Sequence, residues 1–238
     1  MKLALIGYGR MGHAIEETAL KRGHSVSLII DIENPGDLNA KNLKEIDVAI
    51  EFSFPEAAFR NISTCLESKV PVVSGTTGWL KDYEKAAKIC MDNGSTFIHS
   101  SNYSIGVNIL FMLNSELAKQ MNKYRDYSVS IEEIHHTQKK DAPSGTAITL
   151  AEQVLENIPQ KKKWINDAAK YPNELSIISK RIDPAPGTHS IKYSSAIDDI
   201  EIIHTAHNRT GFATGAVLAA EFIAGKKGIY TMKDVLGI

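Results

Sequence analysis

A glycine-rich turn constrains this chain more than any other feature. Gly7-Tyr8-Gly9-Arg10-Met11-Gly12 follows an apolar run at residues 2–6 and opens a helical pattern at residues 10–22, with Met11, Ala14, Ile15 and Ala19 on one face. A strand that feeds a helix through G-x-G-x-x-G is the start of a parallel α/β sheet that binds a dinucleotide. Gly7 permits the tight turn, Gly9 lets a pyrophosphate approach the backbone, and Gly12 allows close helix–strand packing. The alternation continues with strands at 25–30, 47–52, 70–74 and 96–99. Between them lie helices at 55–67, which begins on Pro55, and at 80–92, which Asn93-Gly94 ends. Repeated βα units imply a parallel sheet with helices on both faces.

From residue 104 the pattern changes. A long helix over 104–121 is followed by alternating runs at 128–134, 175–182, 189–194 and 200–206, interrupted by one clear helix over 144–157. Strands with few crossover helices imply an open, mixed sheet. Helices on one side only would leave an apolar face for an oligomer interface to bury. Residues 159–173 lack periodicity and are expected to be an exposed loop, with Lys161-Lys162-Lys163 solvated in it. The apolar helix at 215–224 is expected to pack back on the first half. The predicted fold class is therefore α/β, a dinucleotide-binding domain over 1–103 and 211–238 with an α+β substrate-binding and oligomerisation domain over 104–210.

Composition excludes several roles. The formal net charge of −1 removes any bulk electrostatic case for nucleic acid or an anionic membrane. Cys65 and Cys90 have no CxxC partner and read as reduced, structural residues. The apolar run at the start stops at Gly7, too short for a signal-peptide core or a membrane span, so a soluble cytoplasmic protein is expected.

Asp31 ends the second strand, where a carboxylate accepts hydrogen bonds from both ribose hydroxyls of NAD and repels a 2′-phosphate. Ile32 follows it rather than a basic residue, which favours NADH over NADPH; the bland alternative is a turn residue. Phe52-Ser53-Phe54-Pro55 and Gly75-Thr76-Thr77-Gly78 are loops at strand C-terminal ends, where a ligand crevice belongs. Ser101-Asn102-Tyr103 either lines a nicotinamide pocket or forms a hinge.

The chemistry is carried by His135-His136-Thr137-Gln138-Lys139-Lys140-Asp141-Ala142-Pro143-Ser144-Gly145-Thr146. Two imidazoles and an ammonium precede a turn that starts a helix. Histidine moves protons near neutral pH, and backbone N–H groups at a helix start bind anions. Helix capping by Asp141 or Ser144 explains the serine and the proline. It does not explain Gly145, which weakens a first turn unless a ligand needs the backbone close. Adjacent residues on a regular strand face opposite ways, so His135 and His136 serve one pocket only if the strand ends or bulges there. A zinc site built from His135, His136, His204 or His207 has no HExxH or CxxC spacing behind it, and no metal is expected.

With these motifs, and with Arg209-Thr210-Gly211-Phe212, the whole chain resembles the 4-hydroxy-tetrahydrodipicolinate reductase (dihydrodipicolinate reductase) family of bacterial lysine and diaminopimelate synthesis. The resemblance implies a Rossmann domain, a substrate domain with an open mixed sheet, and a homotetramer joined through that sheet. It implies NAD(P)H-dependent reduction of a cyclic dicarboxylate. His135 would be the proton donor and Lys139 its cationic partner. His136, Lys139, Ser144, Gly145 and Thr146 would hold the substrate. The cofactor would lie on Gly7, Gly9, Arg10, Met11, Gly12, Asp31, Phe52, Gly75, Thr76, Thr77, Ser101, Asn102 and Tyr103. The chain departs from the family pattern in a shortened 181–193 connection and in lacking a basic residue after Asp31. Two competitors are another oxidoreductase on the same scaffold, such as a relative of aspartate or homoserine dehydrogenase, and an NADH-binding sensor. The first gives no reason for the His135–Thr146 cluster, and the absence of a basic recognition helix argues against a sensor that binds DNA.

Overall fold

The computed structural model describes residues 1–238. In chain order the elements are β1 (Lys2–Ile6), α1 (Arg10–Lys21), β2 (Ser25–Ile30), α2 (Ala40–Leu43), β3 (Val48–Glu51), α3 (Pro55–Glu67), β4 (Val72–Ser74), α4 (Tyr83–Asn93) and β5 (Thr96–His99). Then follow α5 (Ile105–Met121), β6 (Ser128–His135), α6 (Gly145–Asn157), β7 (Lys163–Ile165), β8 (Glu174–Arg181), β9 (Gly187–Ser194) and β10 (Asp199–Ala206). The chain ends with α7 (Thr210–Ile223), β11 (Gly228–Tyr230) and α8 (Met232–Leu236). Contacts divide it into two compact units, Met1–Ile105 with Arg209–Ile238, and Gly106–Asn208.

The first unit is a six-stranded parallel sheet in the order β11-β5-β4-β3-β1-β2. β1 lies between β2 and β3, so the strand order reverses at its C-terminal end, the position where open α/β sheets bind ligands. Period-two alternation splits the apolar residues between two layers. Leu3 and Leu5 face α1, α7 and α8; Ala4 and Ile6 face α3 and α4. The sequence pattern contains no signal for β11, a three-residue strand that exists only by pairing with β5. α4 also starts later than its periodicity suggests, because Leu80–Asp82 forms a separate 3₁₀ turn.

The second unit is a mixed sheet in the order β10-β9-β6-β8-β7. β6 pairs parallel with β8 and antiparallel with β9. Val129 and Ile131 of β6, Ile191 and Tyr193 of β9, and Leu175 and Ile177 of β8 pack with Leu110, Leu150 and Val154 of α5 and α6. The expected loop over 159–173 is corrected at Lys163–Ile165, which adds an edge strand to β8. Lys161 is not solvated either: its ammonium donates to the carbonyls of Pro172 and Glu174 at 3.0 and 2.8 Å. The expectation of an apolar uncovered face is also corrected. That face is mixed: Ser130, Glu132, Ser190, Lys192 and Glu201 stand among Ile134, Ile178 and Ile203, with a Glu132–Lys180 ion pair at 2.7 Å. No helix of the chain is long and apolar enough to cross a membrane.

Candidate active site

The glycine turn has the geometry its spacing predicts. Gly7 has φ +91°, and a Cβ there would lie 2.1 Å from the Phe52 carbonyl oxygen. A Cβ on Gly12 would lie 2.5 Å from the Gly7 carbonyl oxygen, so only glycine lets α1 approach β1 this closely. At Gly9, the N-cap of α1, a Cβ would meet nothing within 4 Å. The space above that backbone is open where a pyrophosphate belongs. A groove of about 590 Å³ runs along these strand ends, lined by Gly9, Asp31, Glu33, Phe52, Ser53 and Asn61 among others. Its size suits a small-molecule cofactor. Asp31 is fixed locally: its N–H donates to Asn34 Oδ1 and its Oδ1 accepts from the Glu33 N–H, each at 2.8 Å. Arg10 and Met11 open α1 at the mouth of the turn.

Glu51, absent from the sequence predictions, organises the next two loops. It is fully buried at the end of β3 and accepts from the Ser53 hydroxyl and N–H, from Ser74 Oγ at 2.8 Å and from Thr76 Oγ1 at 2.8 Å. Thr76 Oγ1 in turn accepts from the Ser53 N–H at 2.9 Å. A buried carboxylate is tolerated only when its lone pairs are satisfied. Here they tie Phe52-Ser53 to Gly75-Thr76. Gly75 makes room for the Phe52 ring, which a Cβ would meet at 2.2 Å. Thr77 and Ser101 are exposed, Asn102 is buried. Tyr103 is 1% exposed, and its hydroxyl donates to the Ser74 and Ile98 carbonyls. Its side chain is committed to the core, so only its backbone is left for a cofactor.

In the second unit β6 ends at His135, and the Lys139 N–H closes a turn on the His136 carbonyl at 3.1 Å. The strand end is what releases His136 from strict alternation. His135 and Glu133 lie on the helix-covered face of β6, two residues apart. Glu133 is fully buried, and its Oε2 lies 3.3 Å from His135 Nδ1. The Ser144 N–H donates to both Glu133 oxygens at 3.1 Å, and Arg181 Nη2 donates to Oε1 at 3.2 Å. Burial alone would raise this carboxyl. The polar groups around it, His135 first and then Ser144 and Ser179, outweigh it and hold Glu133 well below the ordinary carboxylate range. Glu133, His135 and His189 bring one donor atom each within 4.8 Å of one another, a spacing a divalent cation can use. The Arg181 guanidinium and the Ser144 N–H already satisfy the carboxylate.

Ser144 is the N-cap of α6; its Oγ accepts from the Ala147 N–H at 3.2 Å and lies 3.1 Å from His189 Nε2. The capping account therefore describes its side chain. Gly145 begins the helix with nothing within 4 Å of a would-be Cβ, and Thr146 follows in the same first turn, where N–H groups lack helical acceptors. Lys139 is paired within its own turn: its ammonium donates to both Asp141 oxygens at 2.8 Å.

His189 was also missed, since nothing around it in the sequence marks a site. Burial, then the neighbouring His135 charge, pushes its imidazole down to about 4. Between pH 6.5 and that value the unfolded chain protonates this ring and the folded chain does not. Stability is then complete above about pH 6.5 and falls by roughly 3 kcal/mol as the pH is lowered towards 4. Denaturant titrations at pH 7 and pH 4.5 measure the loss. His189→Gln should shrink it, and an unaltered pH dependence would assign it to other groups.

A glycine-turn groove at a strand-order switch, carried in one chain with an imidazole, an ammonium and the N-terminal turn of a helix, is the equipment of an oxidoreductase that uses a nicotinamide nucleotide on a small anionic substrate. Comparison with known proteins makes the class specific. Residues 1–103 match the family described as dihydrodipicolinate reductase, N-terminus, and residues 106–236 match dihydrodipicolinate reductase, C-terminus. The chain is 57% identical to the 4-hydroxy-tetrahydrodipicolinate reductase of Christiangramia forsetii over 99% of this chain and 98% of that one. It is 34% identical to the enzyme of that name from Alkaliphilus oremlandii, over 100% of this chain and 99% of that one. A dipicolinate-bound dihydrodipicolinate reductase from Paenisporosarcina sp. TG-14 shares the fold, with a TM-score of 0.77, 24% identity and 97% coverage of each chain. The chain belongs to the 4-hydroxy-tetrahydrodipicolinate reductase family. It catalyses the NAD(P)H-dependent reduction of 4-hydroxy-tetrahydrodipicolinate in lysine and diaminopimelate biosynthesis.

Proposed function

We propose that the substrate carboxylates bind at the start of α6, on Ser144, Gly145 and Thr146, with His136 and Lys139, and that His135 delivers the proton that completes the reduction. The observation that carries this reading is the buried His135 imidazole, held beside a carboxylate whose second neighbour is the Ser144 N–H of the same helix start. A bound NAD(P)H supplies the hydride. This chain's own residues orient the ring, neutralise its carboxylates and protonate it after the 4-hydroxyl leaves as water. Lys139 reaches a substrate carboxylate by exchanging Asp141 for it, one anion for another, so the ammonium never stands unpaired in a partly buried place. Gly7, Gly9 and Gly12 fit a dinucleotide pyrophosphate, with Asp31 at its ribose.

We also assign NADH as the preferred cofactor. Asp31 and Glu33 both line the groove, followed and separated by the exposed Ile32, so a 2′-phosphate meets two carboxylates and no cation there. Steady-state oxidation of NADH and NADPH with freshly generated 4-hydroxy-tetrahydrodipicolinate tests both parts. Turnover with a higher kcat/KM for NADH is expected. The pair Asp31→Ser with Ile32→Arg should lower kcat/KM for NADH by roughly 10–100-fold, the worth of charged hydrogen bonds to the ribose diol, and favour NADPH. An unchanged cofactor ratio in that pair would remove Asp31 from the ribose site. The homotetramer implied by the family resemblance belongs to the same reading, and light scattering decides it.

A further inference from the structure

We propose that Glu133 is the positioning residue of the proton donor: fixed by Arg181 and the Ser144 N–H, it holds the proton of His135 on Nδ1 and leaves Nε2 as the nitrogen that exchanges protons with the substrate. The proposal rests on the reading of His135 as the donor.

The strand pattern places the two groups together. Val129, Ile131, Glu133 and His135 fall on one side of β6 by period-two alternation, the side that α5 and α6 cover. Two apolar residues are thus followed by a carboxylate and an imidazole on a core face, where ionisable groups are rare unless paired. Register supplies the partners from both neighbouring strands. In the antiparallel ladder Glu133 stands opposite His189, and in the parallel ladder His135 aligns with Arg181.

The two oxygens of Glu133 have different company. Oε1 takes Arg181 Nη2, and Oε2 faces His135 Nδ1 at 3.3 Å and His189 Nε2 at 3.8 Å. Arg181 also donates to the Asp141 carbonyl at 2.6 Å and to the Lys180 carbonyl at 2.8 Å. The guanidinium therefore anchors the carboxylate and the Lys139–Asp141 turn at once. A fixed carboxylate with one oxygen tied down cannot rotate away from the ring.

His135 Nδ1 is shut off from solvent and has no acceptor other than this nearby carboxylate. A proton on Nδ1 thus has no route to water or substrate. On the other side of the ring, a Cβ on Gly187 would come within 3.1 Å of Nε2. Glycine at that position keeps the Nε2 side clear. In the proton transfer the N–H bond at Nε2 breaks and the proton bonds to the reduced substrate. The electron pair stays on Nε2, the ring becomes neutral with its hydrogen on Nδ1, and the reducing electrons come from the bound NAD(P)H. Glu133 remains a carboxylate throughout, as an orienting carboxylate does in other histidine-based sites.

The test is a cycle of wild type, H135Q, E133Q and the double variant, assayed on 4-hydroxy-tetrahydrodipicolinate at saturating NADH. E133Q should lower kcat by about 10–100-fold, the usual effect of losing a group that orients a site histidine, with KM within about twofold. In the H135Q background the same change should cost less than about twofold, because the ring it serves is gone. Wild-type kcat in E133Q, or an equal loss in both backgrounds, would overturn the proposal and leave Glu133 a structural residue. Wild-type kcat in H135Q alone would instead remove the donor reading beneath it. Nitrogen-15 NMR of the wild-type enzyme is independent of any variant's folding. Once the ring has lost one proton, the remaining hydrogen is expected on Nδ1, and a neutral ring that carries it on Nε2 would defeat the proposal.

Discussion

Replacing His135 by Gln is expected to lower kcat by about 10²- to 10⁴-fold, the range that a positioned general acid contributes. NADH binding, measured by fluorescence titration, should stay within about twofold, because no residue of the groove over Gly9, Asp31 and Phe52 is altered. Glutamine keeps polar atoms in a largely buried position but has no proton to give at neutral pH. Positioning of the substrate and the charge of Lys139 survive, so residual turnover remains. A variant that keeps wild-type kcat would take His135 out of the chemistry and move attention to Lys139, the other proton-bearing group in the same turn.

Gly215→Ala should be the most damaging single methyl in the first unit. Gly215 lies in the middle of α7, buried against the chain at Tyr103, where a Cβ would fall 1.7 Å from the carbonyl oxygen and 2.7 Å from its carbon. No side chain can swing aside, since the obstacle is backbone. Helix and backbone must separate, which breaks the packing of Ala213, Ala216 and Val217 around it and disturbs the Tyr103 hydroxyl bond to the Ser74 carbonyl. Overpacking of this severity costs roughly 3 kcal/mol, at the upper end of the usual range, or about 6–12 °C in Tm for a chain of this size. Calorimetry of the purified variant gives the value. A Tm within about 2 °C of wild type would mean that α7 is not held against Tyr103 as described.

Local signals carried most of the fold. The bounds of β1, β2, α3 and β5 coincide with the sequence reading because each is a run whose period, caps and breakers lie within a few residues. The same holds for Gly7 and Gly12, whose roles follow from a six-residue spacing that the structure accounts for atom by atom. β7 and β11 were invisible for the converse reason. Lys163–Ile165 and Gly228–Tyr230 are three residues long and become strands only because β8 and β5 offer an edge. The mixed character of the uncovered face of the second sheet likewise depends on which side of each strand the helices cover.

At the candidate site the sequence by itself pointed to the proposed donors and the proposed carboxylate turn, since His135, Lys139 and Ser144-Gly145-Thr146 are neighbours in the chain. The tertiary structure decided what those groups are attached to. One missed carboxylate was within reach of the pattern: continuing the alternation from Val129 and Ile131 carries Glu133 inward with His135. Its partners were not, for Arg181 and His189 are 48 and 56 residues away and arrive only through the registers of β8 and β9. The Ser74 and Thr76 donors on Glu51, 23 and 25 residues away, are of the same kind, whereas Asp141 on Lys139 and Ser53 on Glu51 are pairs two residues apart. Hydrophobic period and turn chemistry are properties of a short segment and survive in the sequence. The environment of a buried charge is a sum over groups brought close by folding, and that sum exists only in three dimensions.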